Sequence, residues 1–250
     1  MRLRILIAVA ALAATVTIAA QQPGKHPVSG RVYAQTMGVQ GASWLDRPER
    51  DREEDPDLAI RLLRIQKGAT VADVGAGSGN ITIRLAKQVG PMGKVYANDI
   101  QAGMLEILQK NVAKAVGPMG KVYANDIQPG MLEILQKNVG KAKLTNVVPV
   151  LGAIDDPKLP AESIDLAIMV DVYHEFSEPQ KMLQRLREAI KPGGRLVLLE
   201  YRAEDPEVPI LREHKMTKAQ VKLEVENEGF KQSRVYDDLP WQHLFVFTRP

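Results

Sequence analysis

The chain has 250 residues, enough for one large core or for a domain with a small addition. It contains no cysteine, which excludes disulfides, thiolate metal sites and cysteine nucleophiles. The formal charge of +3 reduces to 31 basic against 30 acidic residues once Arg2 and Arg4 are set aside, and the charges are interspersed, so the sequence carries no electrostatic footprint for nucleic acid.

Residues 1–20 open with MRLR and continue as the 16-residue uncharged run ILIAVAALAATVTIAA, with small residues at Ala19 and Ala20. That pattern reads as a secretory signal peptide, with an uncleaved anchor as the alternative. The expectation is an exported chain, periplasmic or extracellular, whose leader contacts the membrane or the export machinery; a leader that does not function would leave it cytoplasmic. Residues 21–54 are rich in Gln, Gly, Pro, Arg and Glu and lack periodicity, so they read as a flexible segment and possible cap anchored by Trp44. Residues 55–250 form the main domain.

Asp55 followed by Pro56 is an N-cap with proline at the first helical position, and Leu58, Leu62 and Ile65 give one apolar face. After Gly68 the period becomes that of a strand: ATVADV, then the turn GAGSG, then the helical NITIRLAKQV. VGPMGKVYANDIQAGMLEILQKN at 89–111 then returns, with one change, as VGPMGKVYANDIQPGMLEILQKN at 116–138, an offset of 27 residues. Nothing else repeats, and a solenoid needs at least about three units, so 89–115 and 116–142 read as a strand-plus-helix unit written twice inside one domain. The helical faces would be Met104, Leu105 and Leu108 in the first copy and Met131, Leu132 and Leu135 in the second.

NVVPVLG and SIDLAIMV are further strands whose continuous apolar character suits a parallel sheet covered on both faces. Ser177 with Gln180 makes a capping box for the helix through MLQRLREAI, KPGG stops it, and LVLLEY is the next strand. KAQVKLEVENEG reads as a helix, while FKQSRVY and HLFVFT are strands joined by too few residues to be anything but antiparallel neighbours. The fold class is therefore α/β, mainly parallel, with an antiparallel C-terminal edge pair.

Gly75, Gly77 and Gly79 allow a tight turn where strand becomes helix, and the helix that follows directs its free N–H groups at that turn. Asp99 lies twenty residues after Gly79 at the end of the next strand, where an acid meets a ribose diol, and Asp126 is its twin in the second copy. Ligands of open α/β sheets bind outside the strand carboxyl ends. Asp73, Asp99, Asp155, Asp171, Tyr173, His174, Glu200 and Tyr201 all fall there, and a mouth with so many acids favours a cationic ligand over a phosphate-bearing one. His174 is the first candidate for a base or an acceptor-positioning residue, beside Tyr173, and His243 and His214 are weaker ones. The three histidines are separated by 40 and 29 residues, which makes no metal motif, so no metal is expected.

GAGSG preceded by Asp73, VYAND ending in Asp99, LGAIDDPKLP, SIDLAIMVDVYHEF and LREAIKPGGRLVLLEY resemble the successive motifs of class I S-adenosylmethionine-dependent methyltransferases. The resemblance implies a Rossmann-like sheet of order 3-2-1-4-5-7-6 and S-adenosyl-L-methionine as cofactor. It implies that Gly75, Ala76, Gly77 and Gly79, with Asp73 before them, bed the methionine half. Asp99 would meet the ribose, Ala153, Ile154 and Asp155 the adenine, and Asp171 the boundary between cofactor and acceptor. The implied activity is methyl transfer to a small-molecule acceptor, and the alternative is a non-catalytic methyltransferase-like domain that binds a ligand or a partner protein. Folding both copies as sheet units would give eight strands in the order 3-2′-2-1-4-5-7-6, with copy one beside strand 1 and the Ala153 to Asp155 loop carried away from the adenine.

Overall fold

The protein is represented by a computed structural model that describes residues 24–99, 107, 121–126, 147–151 and 153–250. The expected leader at 1–20 and the expected helical faces at Met104, Leu105, Leu108, Met131, Leu132 and Leu135 lie outside the described residues.

The sequence read as loose before Asp55 is in part helical: a 3-10 turn, Val39–Gly41, leads into α1 (Ala42–Leu45) and α2 (Arg50–Glu53). Then come α3 (Pro56–Leu63), β1 (Thr70–Val74), α4 (Asn80–Val89) and β2 (Lys94–Asn98). Asp55 caps α3 as its sequence demands, accepting the Leu58 amide at 3.0 Å. β3 (Lys121–Asp126), β4 (Val147–Leu151) and β5 (Ile164–Val170) follow, with α5 (Pro179–Ala189) and β6 (Ile190–Arg202) after them. The chain ends in β7 (Lys215–Met216), α6 (Lys218–Asn227), β8 (Lys231–Tyr236) and β9 (Gln242–Thr248).

Two boundaries differ from the sequence reading. No capping box opens α5: its N-cap is Glu178 without a side-chain bond, because Gln180 donates instead to Glu228 at 2.8 Å and Ser177 faces a cavity. KPGG does not end as a free turn either. It runs into β6, where Gly193 donates to the Arg249 carbonyl and Gly194 accepts from the Arg249 amide, so the C-terminal residues hold it in the sheet.

The sheet runs β4-β3-β2-β1-β5-β6-β9-β8, with the two-residue β7 beside β6, nine strands among the described residues. All pairs are parallel except β6 with β9 and β9 with β8. The VYAN stretches of the two copies lie side by side as β2 and β3, like residue against like from Lys94 with Lys121 to Asn98 with Asn125. β2, from the first copy, is the one next to β1. Asp126 therefore closes a strand one position farther out, about 4.8 Å along the sheet.

Both faces of the central strands are buried, which is why β5 reads as a continuous apolar run from Leu166 to Val170. Leu196, Leu198, Phe245 and Phe247 pack on one face with α5 and α6, while Val197, Leu199, Leu244 and Val246 pack on the other with α3 and α4. Residues 24–34 are held to the first face by a buried ion pair: Arg31 makes two 3.0 Å bonds to Glu224 of α6, whose side chain is wholly buried. Arg31 also donates to the His174 carbonyl at 2.9 Å, and the Ala34 amide does so at 3.0 Å, so this strap fixes the turn after β5.

Removing one member of a buried pair leaves an uncompensated charge, whereas removing both does not. Arg31→Met is expected to destabilise the chain by about 3–5 kcal/mol in urea denaturation, and Arg31→Met with Glu224→Leu to recover most of that loss.

Candidate active site

The glycine turn after β1 is built by close approach. Gly75 has φ +79°, and a Cβ there would lie 2.5 Å from Val172 Cγ2, so a side chain is excluded both by conformation and by the loop after β5. The Gly75 and Ala76 amides both donate to the Asn98 carbonyl at 2.8 Å, which locks the turn to the end of β2. The next amide, Gly77, donates to Asp99 Oδ2 at 2.8 Å. Gly79, with φ +88°, starts α4. Asp73 sits beneath the turn and accepts a 2.6 Å bond from Thr82 Oγ1 in the first turn of α4. It lines neither of the two cavities between cap and sheet, and its part is to tie strand, turn and helix together. Burial pushes its carboxyl up to about 7, with the charge of Asp99 adding to the effect.

The cap closes over this turn. Leu45 of α1 reaches Gly77, and Ser78 donates to Asp46 at 2.6 Å. Arg47 lies on the Trp44 ring, 3.6 Å from its centroid, and bonds to Glu54 at 2.7 Å. Arg50 reaches the same carboxylate at 2.6 Å, and Tyr201 donates to it at 3.0 Å. Buried Arg50 and Glu54 thus fasten the cap to β6.

Two adjoining cavities open between cap and sheet. The first, about 310 Å³, is walled by Gly75, Gly77, Asp99, Ile154, Asp171 and Met182 among others. The second, about 620 Å³, is walled by Trp44, His174, Tyr201, Ile210, Leu211 and His214 among others. Thr36, Met37, Leu45, Asp171 and Glu175 belong to both, so the cavities share one partition. Their sizes are those of small-ligand sites.

Asp171 stands in that partition with φ +51°. Gln242 donates to its Oδ2 at 2.6 Å, while its buried Oδ1 has no hydrogen-bond partner among the described residues. Burial, then the charges of Glu54 and Glu200, hold its carboxyl well above the usual range. Burial likewise pushes Glu175 up to about 7. His174 is buried on the 3-10 turn Tyr173–Glu175, with Nδ1 at 2.6 Å from Glu200 Oε2 and Nε2 at 3.0 Å from His214 Nδ1. Burial disfavours its imidazolium, but the charge and hydrogen bond of Glu200 outweigh this and raise its pKa. His214, on the 3-10 turn Arg212–His214, is lowered by burial and by His174.

Several expected residues thus meet at one place: Gly75, Gly77, Asp99, Ile154, Asp171 and His174. Of the Ala153 to Asp155 loop, Ile154 lines the smaller cavity although β3 stands between β2 and β4, while Ala153 and Asp155 line neither cavity. Ala153 and Asp156 exchange backbone bonds of 2.9 and 3.2 Å in a tight reversal. Asp155 then lies 3.7 Å from Lys181 and Asp156 3.8 Å from Arg185, which draws the loop back toward α5.

Other residues do not meet there. Tyr173 is wholly buried in the core against Phe176 and beneath Arg31, and lines neither cavity. His243 is taken by Asp237 at 2.6 Å and Glu204 at 3.2 Å, and its neighbour Gln242 is the β9 residue that reaches the site. Met37, Leu45, Arg50 and Glu54 carry no site signal in the sequence. Only their order before the glycine turn hints at them, since no periodicity places a cap.

Two sequence family models, each described as a methyltransferase domain, match residues 65–115 and 111–198. A demethylmenaquinone methyltransferase of a Geobacillus species is 25% identical over 175 residues, covering 70% of this chain and 62% of that protein. A ubiquinone/menaquinone biosynthesis C-methyltransferase of Hahella chejuensis is 25% identical over 137 residues, covering 55% and 45%. The chain thus spans less than two thirds of the length of these curated relatives. Among solved structures, a SAM-dependent methyltransferase from Aquifex aeolicus superposes with a TM-score of 0.69 at 25% identity, covering 86% of this chain and all of that one.

The raised pKa of Asp73 has a consequence for stability. Folded, this carboxyl keeps its proton to about pH 7; unfolded, it releases it near 4. The folded state therefore binds more protons between those values, and stability falls as pH rises through the window. In urea denaturation at pH 5 and 7.5, Asp73→Asn is expected to lose less stability than the unsubstituted chain, by about 2 kcal/mol.

Proposed function

We propose that this chain, which belongs to the class I S-adenosylmethionine-dependent methyltransferases, transfers a methyl group to a small apolar acceptor held in the larger of the two cavities. S-adenosylmethionine, the family's cofactor, supplies an electrophilic methyl group on a sulfonium when bound. The residues of the smaller cavity suit it. Gly75 and Gly77 add no side chain to the wall, Asp99 offers a carboxylate for a diol, and Asp171 Oδ1, without a partner among the described residues, offers an acceptor oxygen at the partition.

The observation that carries the reading is the shared partition. Asp171 and Glu175 face both cavities, while His174 and His214 face only the larger, so an acceptor there has the histidine pair on one side and the cofactor cavity on the other. The acceptor cavity is apolar where Trp44, Ile210 and Leu211 line it, and Trp44 and Leu211 are exposed. This supports a lipophilic acceptor, in keeping with the quinone precursors named for the relatives, and a ring hydroxyl is the natural group to lie against the histidines. His174 is oriented by Glu200, and with His214 it can take the acceptor proton as the new bond forms.

Two measurements test this. Calorimetry with S-adenosylhomocysteine should show Asp99→Ala weakening binding about ten- to a hundredfold, the size of a charge-assisted hydrogen bond pair, and Asp126→Ala leaving it unchanged. No binding by the folded chain, or a greater loss from Asp126→Ala, would reject the reading of this cavity. With methyl-labelled S-adenosylmethionine and dihydroxynaphthalene acceptors, label should pass into an organic-soluble product. His174→Ala should lower that turnover about a hundredfold or more while S-adenosylhomocysteine affinity holds.

A further inference from the structure

We propose that His174, Glu175 and His214 together form a binding site for one divalent transition-metal ion of the zinc class, on the wall of the acceptor cavity. The two histidines come from different turns, after β5 and after β6, and the fold brings one potential donor atom of each to the same point. His174 Nε2 lies 3.0 Å from His214 Nδ1, His214 Nδ1 lies 3.8 Å from Glu175 Oε1, and Glu175 Oε1 lies 4.0 Å from His174 Nε2. A triangle with those sides has a point about 2.1 Å from all three corners, which is the bond length of zinc to imidazole nitrogen and carboxylate oxygen.

The surroundings support each donor. Glu200, wholly buried, holds His174 Nδ1 at 2.6 Å, which places the ring proton on Nδ1 and turns the lone pair of Nε2 toward the cluster. A carboxylate behind a ligating histidine is a recurrent arrangement that orients the ring and increases its basicity. The Met37 amide donates to Glu175 Oε1 at 3.2 Å, and the His174 carbonyl is held by Arg31 and Ala34, so the turn carrying two of the donors is fixed from behind. All three residues line the larger cavity. An ion at their common point would keep a coordination position open to that cavity, as catalytic rather than structural zinc does.

Two nitrogens and one oxygen favour zinc or its close neighbours over magnesium or calcium, which take oxygen ligands. With no ion, one proton shared between His174 Nε2 and His214 Nδ1 satisfies the pair at 3.0 Å, and an ion bound to both nitrogens would displace it. Such an ion would supply Lewis acidity to a ring hydroxyl of the acceptor at the open position, and the hydroxyl proton would pass to solvent, because His174 and His214 as ligands have no free nitrogen to take it. That role rests on the methyl transfer proposed above; the binding of the ion does not.

The test uses the full chain, stripped with chelator and titrated with Zn²⁺ by calorimetry and with Co²⁺ by visible absorption, beside S-adenosylhomocysteine titration of the same sample. One equivalent of Zn²⁺ should bind, with Co²⁺ giving the intense absorption of a four-coordinate site. His214→Ala, at a half-buried turn, should weaken Zn²⁺ binding at least a hundredfold, and Glu200→Gln about tenfold or more. His243→Ala, outside the cluster, should leave it unchanged. Absence of stoichiometric Zn²⁺ binding in folded chain, or binding that survives His214→Ala, would overturn the proposal. S-adenosylhomocysteine binding without Zn²⁺ binding would overturn the metal site alone, and the reverse would overturn the cofactor cavity alone.

Discussion

The controlling constraint on this fold is the negative charge gathered at the carboxyl edge of its sheet. Glu54, Asp73, Asp99 and Glu200 are all buried there, and Asp171 and Glu175 stand beside them in the partition. Burying an ionised carboxylate without a partner is far more costly than any single packing contact returns, so each group must find a cation, a donor or a proton. The local architecture follows from how each one does so. Glu54 takes Arg47, Arg50 and the Tyr201 hydroxyl, which brings the cap down onto β6. Asp73 takes Thr82, which seats α4 on the turn. Glu200 takes His174, and Asp171 takes Gln242 from the antiparallel strand β9.

Where donors are too few, the carboxyls keep protons. Asp73 and Glu175 are both pushed up to about 7 by burial, and Asp171 is raised well above its ordinary range. Such a site holds charge in reserve, since an incoming cation lowers those pKa values and draws the protons off. Fold and proposed chemistry meet at that point. The loop and turn after β5 set two of these acids, Asp171 and Glu175, in the partition between the two cavities, where a sulfonium would lie.

Much of this was legible in the sequence because the signals are local. The switch from strand to helical period around Gly75 to Gly79 marked the turn, the spacing to Asp99 marked the end of β2, and Asp55 before Pro56 marked α3. What escaped was set by contacts distant in sequence. Ser177 and Gln180 have the form of a capping box, yet Gln180 finds Glu228, 48 residues away, a better partner. KPGG has the composition of a helix stop, and the C-terminal Arg249 draws it into the sheet. The cap at 39–54 has no amphipathic period because it is held by arginine–carboxylate pairs rather than by an apolar face. Histidines 40 residues apart make no recognisable motif, and His174 and His214 meet only because β5 and β6 are parallel neighbours whose following turns emerge at the same edge.

The account's central claim is that this acid-lined partition is built to receive a cation beside the glycine turn. Calorimetric titration with S-adenosylmethionine and with S-adenosylhomocysteine, each repeated near neutral pH in two buffers of different ionisation enthalpy, tests it most directly. The account predicts that the sulfonium ligand releases more protons than the neutral thioether, and that its relative affinity rises with pH, because only the cation lowers the raised carboxyl pKa values. Equal proton release for the two ligands, with affinities that keep a constant ratio across pH, would contradict it.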